Sequence, residues 1–406
     1  MKCGLLGRKL SHSYSPQIHS FLGNYSYVLF EKEPEALAEF LRNGDYTGLN
    51  VTIPYKKDVI PYLDEISAAA EKIGAVNTIV RRADGTLFGH NTDYFGFQSM
   101  VTCSGLDLRG KKVLALGSGG ASNTAVQVLS ELGAQVIVVS RNGKDNYENI
   151  SCHADAAAIV NTTPVGMYPE NGVSAVDLNL FPNLEGVLDL IYNPARTQLL
   201  LDAEKRGIYG QNGLWMLVAQ AKEAAEYFTD SSISDSVISA IHKTLSCKMQ
   251  NIILVGMPGS GKTTIGHLLA QKTGRTFADA DELIVSLAGK SIPEIFAEDG
   301  EKVFRSWETK ALEQLGKQSA LIISTGGGCV TQQRNYPLLH QNGIIFWVMR
   351  DLDHLAMDGR PLSQPENMRK MYDQRKPLYN AFSDFIVSND CDPEETVSSI
   401  LALLEE

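Results

Sequence analysis

The sequence predicts an α/β protein of several domains built on parallel sheets. Three observations carry that expectation. The chain has 406 residues, too many for one ordinary core, so two or three domains are expected. Short apolar runs alternate with stretches of helical spacing. Twice such a run leads directly into a glycine-rich turn, at Gly117 to Ser122 (GSGGAS) and at Gly256 to Thr264 (GMPGSGKTT). A strand, a glycine turn and a helix in that order present backbone N–H groups and a helix N-terminus to an anion.

Taken in order, Lys2 to Leu6 is a first strand ending at Gly7, followed by Ser11 to Pro16 (SHSYSP). Pro16 suits the first turn of a helix running to about Leu22. Tyr27 to Phe30 alternates like a strand, and Glu35 to Asn43 has helical spacing. Gly48 to Pro54 reads as a strand closing in a turn before Lys56, Ser67 to Lys72 as a helix, and Gly74 to Val80 as a strand. Asp84-Gly85 marks a hairpin-like turn, and Gly89 to Gly96 opens the next helix. A second unit begins at Lys111. Val113 to Leu116 is a strand, Thr124 to Leu132 a helix and Gln135 to Ser140 a buried strand, a βαβ unit of dinucleotide-binding length. Ala157 to Asn161 and Gly186 to Leu190 are further strands. Thr197 to Arg206 is a helix stopped by Gly207, and Asn212 to Phe228 and Ser234 to Leu245 are two more. Ser246 to Gln250 is a short polar joint. The third unit starts with the strand Ile252 to Val255 and the helix Ile265 to Gln271. Phe277 to Asp281, Leu321 to Ser324, Ile344 to Met349 and Phe385 to Val387 are its other strands. Ile292 to Ala297, Glu301 to Leu315, Arg375 to Phe382 and Glu394 to Leu404 are helical, and Met357 to Asn367 is polar and irregular.

Composition narrows the partners. A formal net charge of -11 argues against nucleic acid and anionic membrane surfaces, while leaving small anionic metabolites open. The six cysteines are scattered without a C-x-x-C pair, which fits reduced thiols in a cytoplasm and disfavours zinc. No apolar run reads as a signal peptide or a membrane span. Oligomeric state is not legible.

The second glycine turn fits G-x-x-x-x-G-K-[ST], with Gly256, Gly261, Lys262 and Thr263 in the fixed positions. Its loop amides would cradle phosphates, Lys262 would reach the β/γ-phosphates and Thr263 would ligate Mg²⁺. Asp279 and Asp281, two apart at a strand end, would point the same way, one toward the metal and one toward a substrate hydroxyl. Arg305 and Arg375 are candidates for a carboxylate clamp, Gly327 for backbone contacts to substrate, and Arg360 for a lid cation. The first glycine turn departs from G-x-G-x-x-G, with Ser122 at the third glycine position. The strand after it ends in Ser140-Arg141-Asn142, where an acidic residue would hold a ribose hydroxyl; a cation there suits a 2′-phosphate, so NADP is favoured over NAD. Reduction of a carbonyl needs a proton donor, and Lys56 with Asp93 holding its charge are candidates.

Residues 1–245 carry SHSYSP, GLNVTIPYK, GAVNTI, GHNTD, GSGGAS, NTTPVGM, DLIYNPARTQLL and NGLWMLVAQA in one order, and in this they resemble shikimate dehydrogenases. The resemblance implies that Ser13 and Ser15 bind the substrate carboxylate, that Thr52, Asn77 and Gln220 bind ring hydroxyls, and that Tyr192 and Asp93 lie at the substrate. It makes Lys56 and Asp93 the catalytic pair. Gly117, Ser118, Gly119, Gly120, Ala121, Arg141 and Gly213 would hold NADP(H). Two departures stand out. The family usually has Asn-Arg-Thr where this chain has Ser140-Arg141-Asn142, and Asn142 to Asp155 is short, as if a helix and strand beside the adenosine pocket were trimmed.

Residues 249–406 carry GMPGSGKTTIG, FADAD, VFRSWE, TGGG, GRPL and RKPLY, and resemble shikimate kinases. That resemblance implies ATP on Gly259, Ser260, Gly261, Lys262, Thr263, Thr264 and Arg360, and Mg²⁺ on Thr263 with Asp279. Asp281, Arg305, Gly327 and Arg375 would bind shikimate, with Glu308 supporting Arg305 and Lys262, Asp281 and Arg360 taking part in catalysis. The expected layout is a substrate-binding domain at 1–100 completed by helices at about 212–245, a Rossmann domain at 101–211, and a P-loop kinase domain of the nucleoside-monophosphate-kinase type at 249–406. The expected function is reduction of 3-dehydroshikimate with NADPH, then phosphorylation of shikimate with ATP. Alternatives are quinate with NAD at the first site, or one dead half serving as a shikimate sensor.

Overall fold

Parallel strands covered by helices on both faces are buried on both sides, so their sequences read as continuous apolar runs. That rule places the interior strands here. The structure, a computed structural model, describes residues 1–10, 13–355 and 365–405. Its chain falls into two compact units. One comprises Met1–Gly166, Val173–Tyr192 and Asp202–Leu245; the other comprises Met167–Gly172, Asn193–Leu201 and Ser246–Glu406.

The first unit holds two sheets. Strands β1 (Lys2–Gly7), β2 (Ser26–Glu31), β3 (Gly48–Val51), β4 (Glu65–Ile66), β5 (Thr78–Arg81) and β6 (Leu87–His90) order as β2-β1-β3-β5-β6-β4. The first three run parallel, β5 runs against them, and β6 and β4 run with them again. Asp84 caps the hairpin by accepting the Thr86 amide at 3.0 Å, and Gly85 takes a φ of 87°. Strands β7 (Lys112–Leu116), β8 (Gln135–Val139), β9 (Ala158–Asn161), β10 (Gly186–Asp189) and β11 (Tyr209–Gln211) form an all-parallel sheet ordered β11-β10-β9-β7-β8.

The helices Asp93–Ser104 and Leu214–Thr229 lie against each other at very close range. A Cβ on Gly96 would stand 2.8 Å from the Met216 carbonyl oxygen and 2.9 Å from Gln220 Cβ. Only glycine permits that approach, which sets the helix carrying Asp93 beside the helix carrying Gln220.

The second unit is one parallel sheet, β13-β14-β12-β15-β16, from strands β12 (Asn251–Val255), β13 (Thr276–Asp279), β14 (Leu321–Ser324), β15 (Gly343–Met349) and β16 (Phe385–Ser388). The central β12 is buried throughout, as are β14 beside it and nearly all of β15.

Four expectations change. Gln135 to Ser140 is an edge strand with Val138 36% exposed: among the described residues β8 pairs with β7 on one side, and the stretch leading from it to β9 is built of turns and the short helical turn Ile150–His153. Gly89 and His90 end β6, so the helix that follows starts only at Asp93. The helix after the first glycine turn begins at Gly120, four residues earlier than Thr124, because the backbone turn ends at Gly119. The joint at Ser246 is helical: the helix Ser236–Met249 runs on to within one residue of β12, since the stretch holds neither Gly nor Pro to break it. Among the described residues, no helix is long and apolar enough to cross a membrane.

Gly96→Ala overpacks the helix pair, at about 1–3 kcal/mol. We expect a lower thermal midpoint for the first unit, read by calorimetry. An unchanged midpoint would show that this helix contact carries no weight.

Candidate active sites

Lys56 follows the turn after β3, and Asp93 opens the helix that follows β6. The fold brings them together: Lys56 Nζ donates to Asp93 Oδ2 at 2.5 Å, with the Lys56 side chain 32% and the Asp93 side chain 18% exposed. The pair is therefore reachable but not fully solvated. Thr92, the residue before Asp93, is fixed from behind. Its amide donates to Asn77 Oδ1 at 2.7 Å, and its hydroxyl lies 3.2 Å from Asn77 Oδ1 and 3.4 Å from Gln220 Oε1. Asn77 is buried, and its amide donates to the His90 carbonyl at 3.0 Å. One chain of contacts thus joins Asn77, Asp93, Gln220 and Lys56. Thr92 is an addition to the expected site residues, its signal being its place inside GHNTD directly before Asp93.

Ser13 and Ser15 sit at the start of the helix Ser15–Leu22. The Ser15 amide donates to Ser13 Oγ at 3.2 Å, and Ser15 is buried at the helix start. Tyr192 meets Tyr14 edge-to-face at 6.2 Å, and burial pushes its phenol up. Thr52 follows β3, its amide donating to the Leu6 carbonyl at 2.9 Å.

The first glycine turn is built to receive something. Gly117 has a φ of 110°, and a Cβ there would strike Thr162 Oγ1 at 2.8 Å. Gly119 and Gly120, by contrast, look into open space, with nothing within 4 Å of an added Cβ, at the N-terminus of the helix Gly120–Glu131. Ser118 and Ala121 are exposed beside them, and Ser122 turns inward to donate to the Gly117 carbonyl at 2.7 Å. Arg141 is exposed just past β8. Gly213 approaches the end of β10 so closely that a Cβ would stand 2.1 Å from the Leu190 carbonyl oxygen. A pyrophosphate fits this turn, and a 2′-phosphate fits Arg141.

In the second unit, Gly256, Gly259 and Gly261 all hold positive φ, at 150°, 84° and 92°. Lys262 Nζ folds back on the carbonyls of Gly256 and Met257 at 3.0 Å each. Ser260 Oγ is buried with no hydrogen-bond partner among the described residues. Thr263 Oγ1 lies 3.4 Å from Asp279 Oδ2, a spacing that leaves both for one cation, and Thr264 is exposed in the first turn. Nucleotide phosphates and Mg²⁺ fit this cradle. Asp279 and Asp281 do not share a strand, however. Asp279 caps the helix Ala280–Ala288, and its Oδ1 accepts the Asp281 amide at 2.9 Å. They share a neighbourhood through a helix N-terminus and not through strand alternation.

Around them stands a triple-glycine turn with no room for side chains. A Cβ on Gly326 would lie 2.9 Å from Asp281 Oδ1 and 3.1 Å from Glu308 Oε1; one on Gly327 would lie 2.6 Å from Pro258 Cδ, and one on Gly328 2.3 Å from Arg305 NH2. Arg305 NH1 donates to both oxygens of Glu308 at 3.0 Å, and its Nε and NH2 reach Glu301 Oε1 at 3.3 and 3.1 Å. Glu308 is fully buried, and burial pushes its carboxyl up against the opposing pull of the Arg305 guanidinium. Arg375 NH1 and the Tyr379 hydroxyl both donate to the Gly327 carbonyl, at 3.0 and 2.5 Å. Asp281, Arg305, Gly327 and Arg375 are therefore gathered around one turn. Tyr379 is an addition, its signal being the RKPLY motif. Arg360 and the irregular segment expected around it lie outside the described residues, save for the helical backbone from residue 365 on.

Residues 258–405 match the family model for shikimate kinase, and residues 5–79 match that for the shikimate dehydrogenase substrate binding domain. A curated shikimate dehydrogenase (NADP(+)) of Clostridium beijerinckii is 37% identical over 260 residues, 59% of this chain and 96% of that protein. Among solved structures, shikimate dehydrogenase 1 from Peptoclostridium difficile is 38% identical with a TM-score of 0.55, covering 60% of this chain and 97% of that one. A chorismate mutase/shikimate 5-dehydrogenase fusion protein from Clostridium acetobutylicum is also 38% identical, with a TM-score of 0.57, covering 60% of this chain and 96% of that one.

Glu308→Ala strands the Arg305 charge with only the exposed Glu301 opposite it, which costs about 3–5 kcal/mol for a pair this buried. The urea midpoint of the second unit should fall, followed through Trp307 and Trp347 fluorescence, with a smaller fall for Glu308→Gln. Equal midpoints for all three proteins would refute the pairing.

Proposed function

We propose two consecutive reactions for this chain, which belongs to the shikimate dehydrogenase family and carries a shikimate kinase domain behind that part: NADPH-dependent reduction of 3-dehydroshikimate, then ATP-dependent phosphorylation of the shikimate formed. The observation that carries the reading is the Lys56–Asp93 pair at 2.5 Å, half-shielded and braced through Thr92 by Asn77 and Gln220. We assign residues 1–100 and about 212–245 to the substrate domain, 101–211 to the Rossmann domain and 249–406 to the kinase, in a cytoplasmic setting with small molecules as partners. NAD with quinate is the rival substrate pair at the first site.

In the first site, NADPH supplies the hydride. Lys56 Nζ gives its proton to the ketone oxygen as negative charge develops there, and Asp93 keeps that amine charged and aimed. Asn77 has committed its oxygen to Thr92, so its NH2 is the donor left for a ring hydroxyl. Ser13 and Ser15 offer hydroxyls to the substrate carboxylate, Thr52 and Gln220 hold ring hydroxyls, and Tyr192 lies beside them. The open glycine turn and Arg141 hold the cofactor's phosphates.

In the second site, ATP with Mg²⁺ supplies the phosphoryl group. Lys262 leaves its two carbonyls for the β/γ-phosphates, and Thr263 with Asp279 holds the metal. Arg305 and Arg375 clamp the shikimate carboxylate, with Gly327 between them. Asp281 orients the attacking hydroxyl and accepts its proton.

The test is a coupled assay on the intact chain with 3-dehydroshikimate, NADPH, ATP and Mg²⁺, following NADPH absorbance and shikimate 3-phosphate. Lys56→Ala should slow reduction by roughly 10²–10⁴-fold and leave phosphorylation of added shikimate intact. Lys262→Ala should do the reverse. NADPH left unconsumed by the unaltered chain, with turnover appearing on NADH and quinate, would replace the first half of the reading.

A further inference from the structure

The sheet order β13-β14-β12-β15-β16 places the phosphate loop, which follows β12, at its centre. Ligands of such sheets bind beyond the strands' carboxyl ends, where the strand order switches direction. On one side of the loop stand Thr263 with Asp279, Asp281, and the triple-glycine turn after β14. That side takes the metal, the acceptor hydroxyl and hence the γ-phosphate. The nucleoside end must then run toward β15 and β16.

Two residues stand there. Asn389, directly after β16, donates from Nδ2 to the Ser260 carbonyl at 2.8 Å and so braces the loop. Arg350, directly after β15, reaches the same spot: a Cβ on Gly261 would lie 2.3 Å from Asn389 Nδ2 and 4.0 Å from Arg350 NH1. Arg350 is half-buried, and its Nε is buried without a hydrogen-bond partner among the described residues. The neighbouring carboxylate of Asp390 accepts from the Asp351 amide and from the Ser388 hydroxyl at 2.6 Å each; those hydrogen bonds hold it below the usual carboxylate range, and the nearby Arg350 charge adds a smaller pull without meeting the Arg350 Nε donor. A surface arginine would turn its guanidinium into water. This one holds a donor out of water beside a loop shaped for phosphate, and an unmet buried donor is costly.

We propose that Arg350 is a nucleotide-binding residue that contacts the α-phosphate end of the nucleoside triphosphate. The proposal rests on the kinase reading and adds to it a cation on the side of the loop away from the metal. In calorimetric titrations of the intact chain, Arg350→Gln should weaken both ATP and ADP by roughly tenfold or more, the range for a charge-assisted hydrogen bond. Arg350→Lys should recover part of the loss. Both variants should keep the thermal midpoint, the shikimate KM and NADPH-dependent reduction. If the unaltered chain binds both nucleotides and Arg350→Gln binds them equally well, this inference falls and the kinase reading stands. Weaker ATP with unchanged ADP would move the contact to the γ-phosphate and overturn the assignment. If the unaltered chain binds neither nucleotide, the kinase reading falls and the inference with it.

Discussion

Strands in a parallel sheet all end on one edge, and the polar backbone groups just beyond that edge have no ladder to join. Both glycine turns of this chain stand there, after β7 and after β12. The constraint is the same in each sheet: amides at a helix N-terminus must find an acceptor, and a phosphate is the acceptor that matches them in charge. Lys262 lies at the same edge, its Nζ donating to the carbonyls of Gly256 and Met257. The remaining site residues are arranged relative to that edge.

Glycine recurs for two separate reasons. At Gly256, Gly259 and Gly261 the backbone takes left-handed or neighbouring conformations that side chains resist. At Gly326, Gly327 and Gly328 no positive φ is involved, and the reason is occupancy: Asp281, Pro258 and Arg305 fill the volumes where side chains would be. The same argument explains Gly96 and Gly213, each pressed against a carbonyl oxygen. One residue type thus serves conformation in the phosphate loop and proximity around the substrate.

The two sites handle charge differently. Lys56 and Asp93 stay partly solvated, which suits the proton transfer proposed for Lys56. Arg305 and Glu308 are buried and locked by paired hydrogen bonds, which suits a group that must hold still. Glu301 closes the outer side of Arg305 with an exposed carboxylate.

Short-range pattern carried much of this protein. The glycine turns, the strands beside them, the helix starts and the motif residues around Lys56, Asp93, Lys262 and Arg305 were legible, because each depends on a few adjacent residues and on period 2 or 3.6. What depended on packing between distant segments was not. The spacing of Asp279 and Asp281 suggested a shared strand face, yet a helix begins between them. An apolar run at Gln135 to Ser140 suggested an interior strand, yet β8 lies at the edge of its sheet. No local signal assigns residues 167–172 and 193–201 to the second compact unit. Nor does any mark Arg350 or Asn389, whose roles come from the order in which β12, β15 and β16 lie side by side. The sequence by itself determined the α/β class and both sets of chemical groups, since strand, turn and helix are local choices. Only the tertiary structure decided which groups meet, because hydrogen bonds, buried ion pairs and steric exclusion act over a few ångströms in space, whatever the separation along the chain.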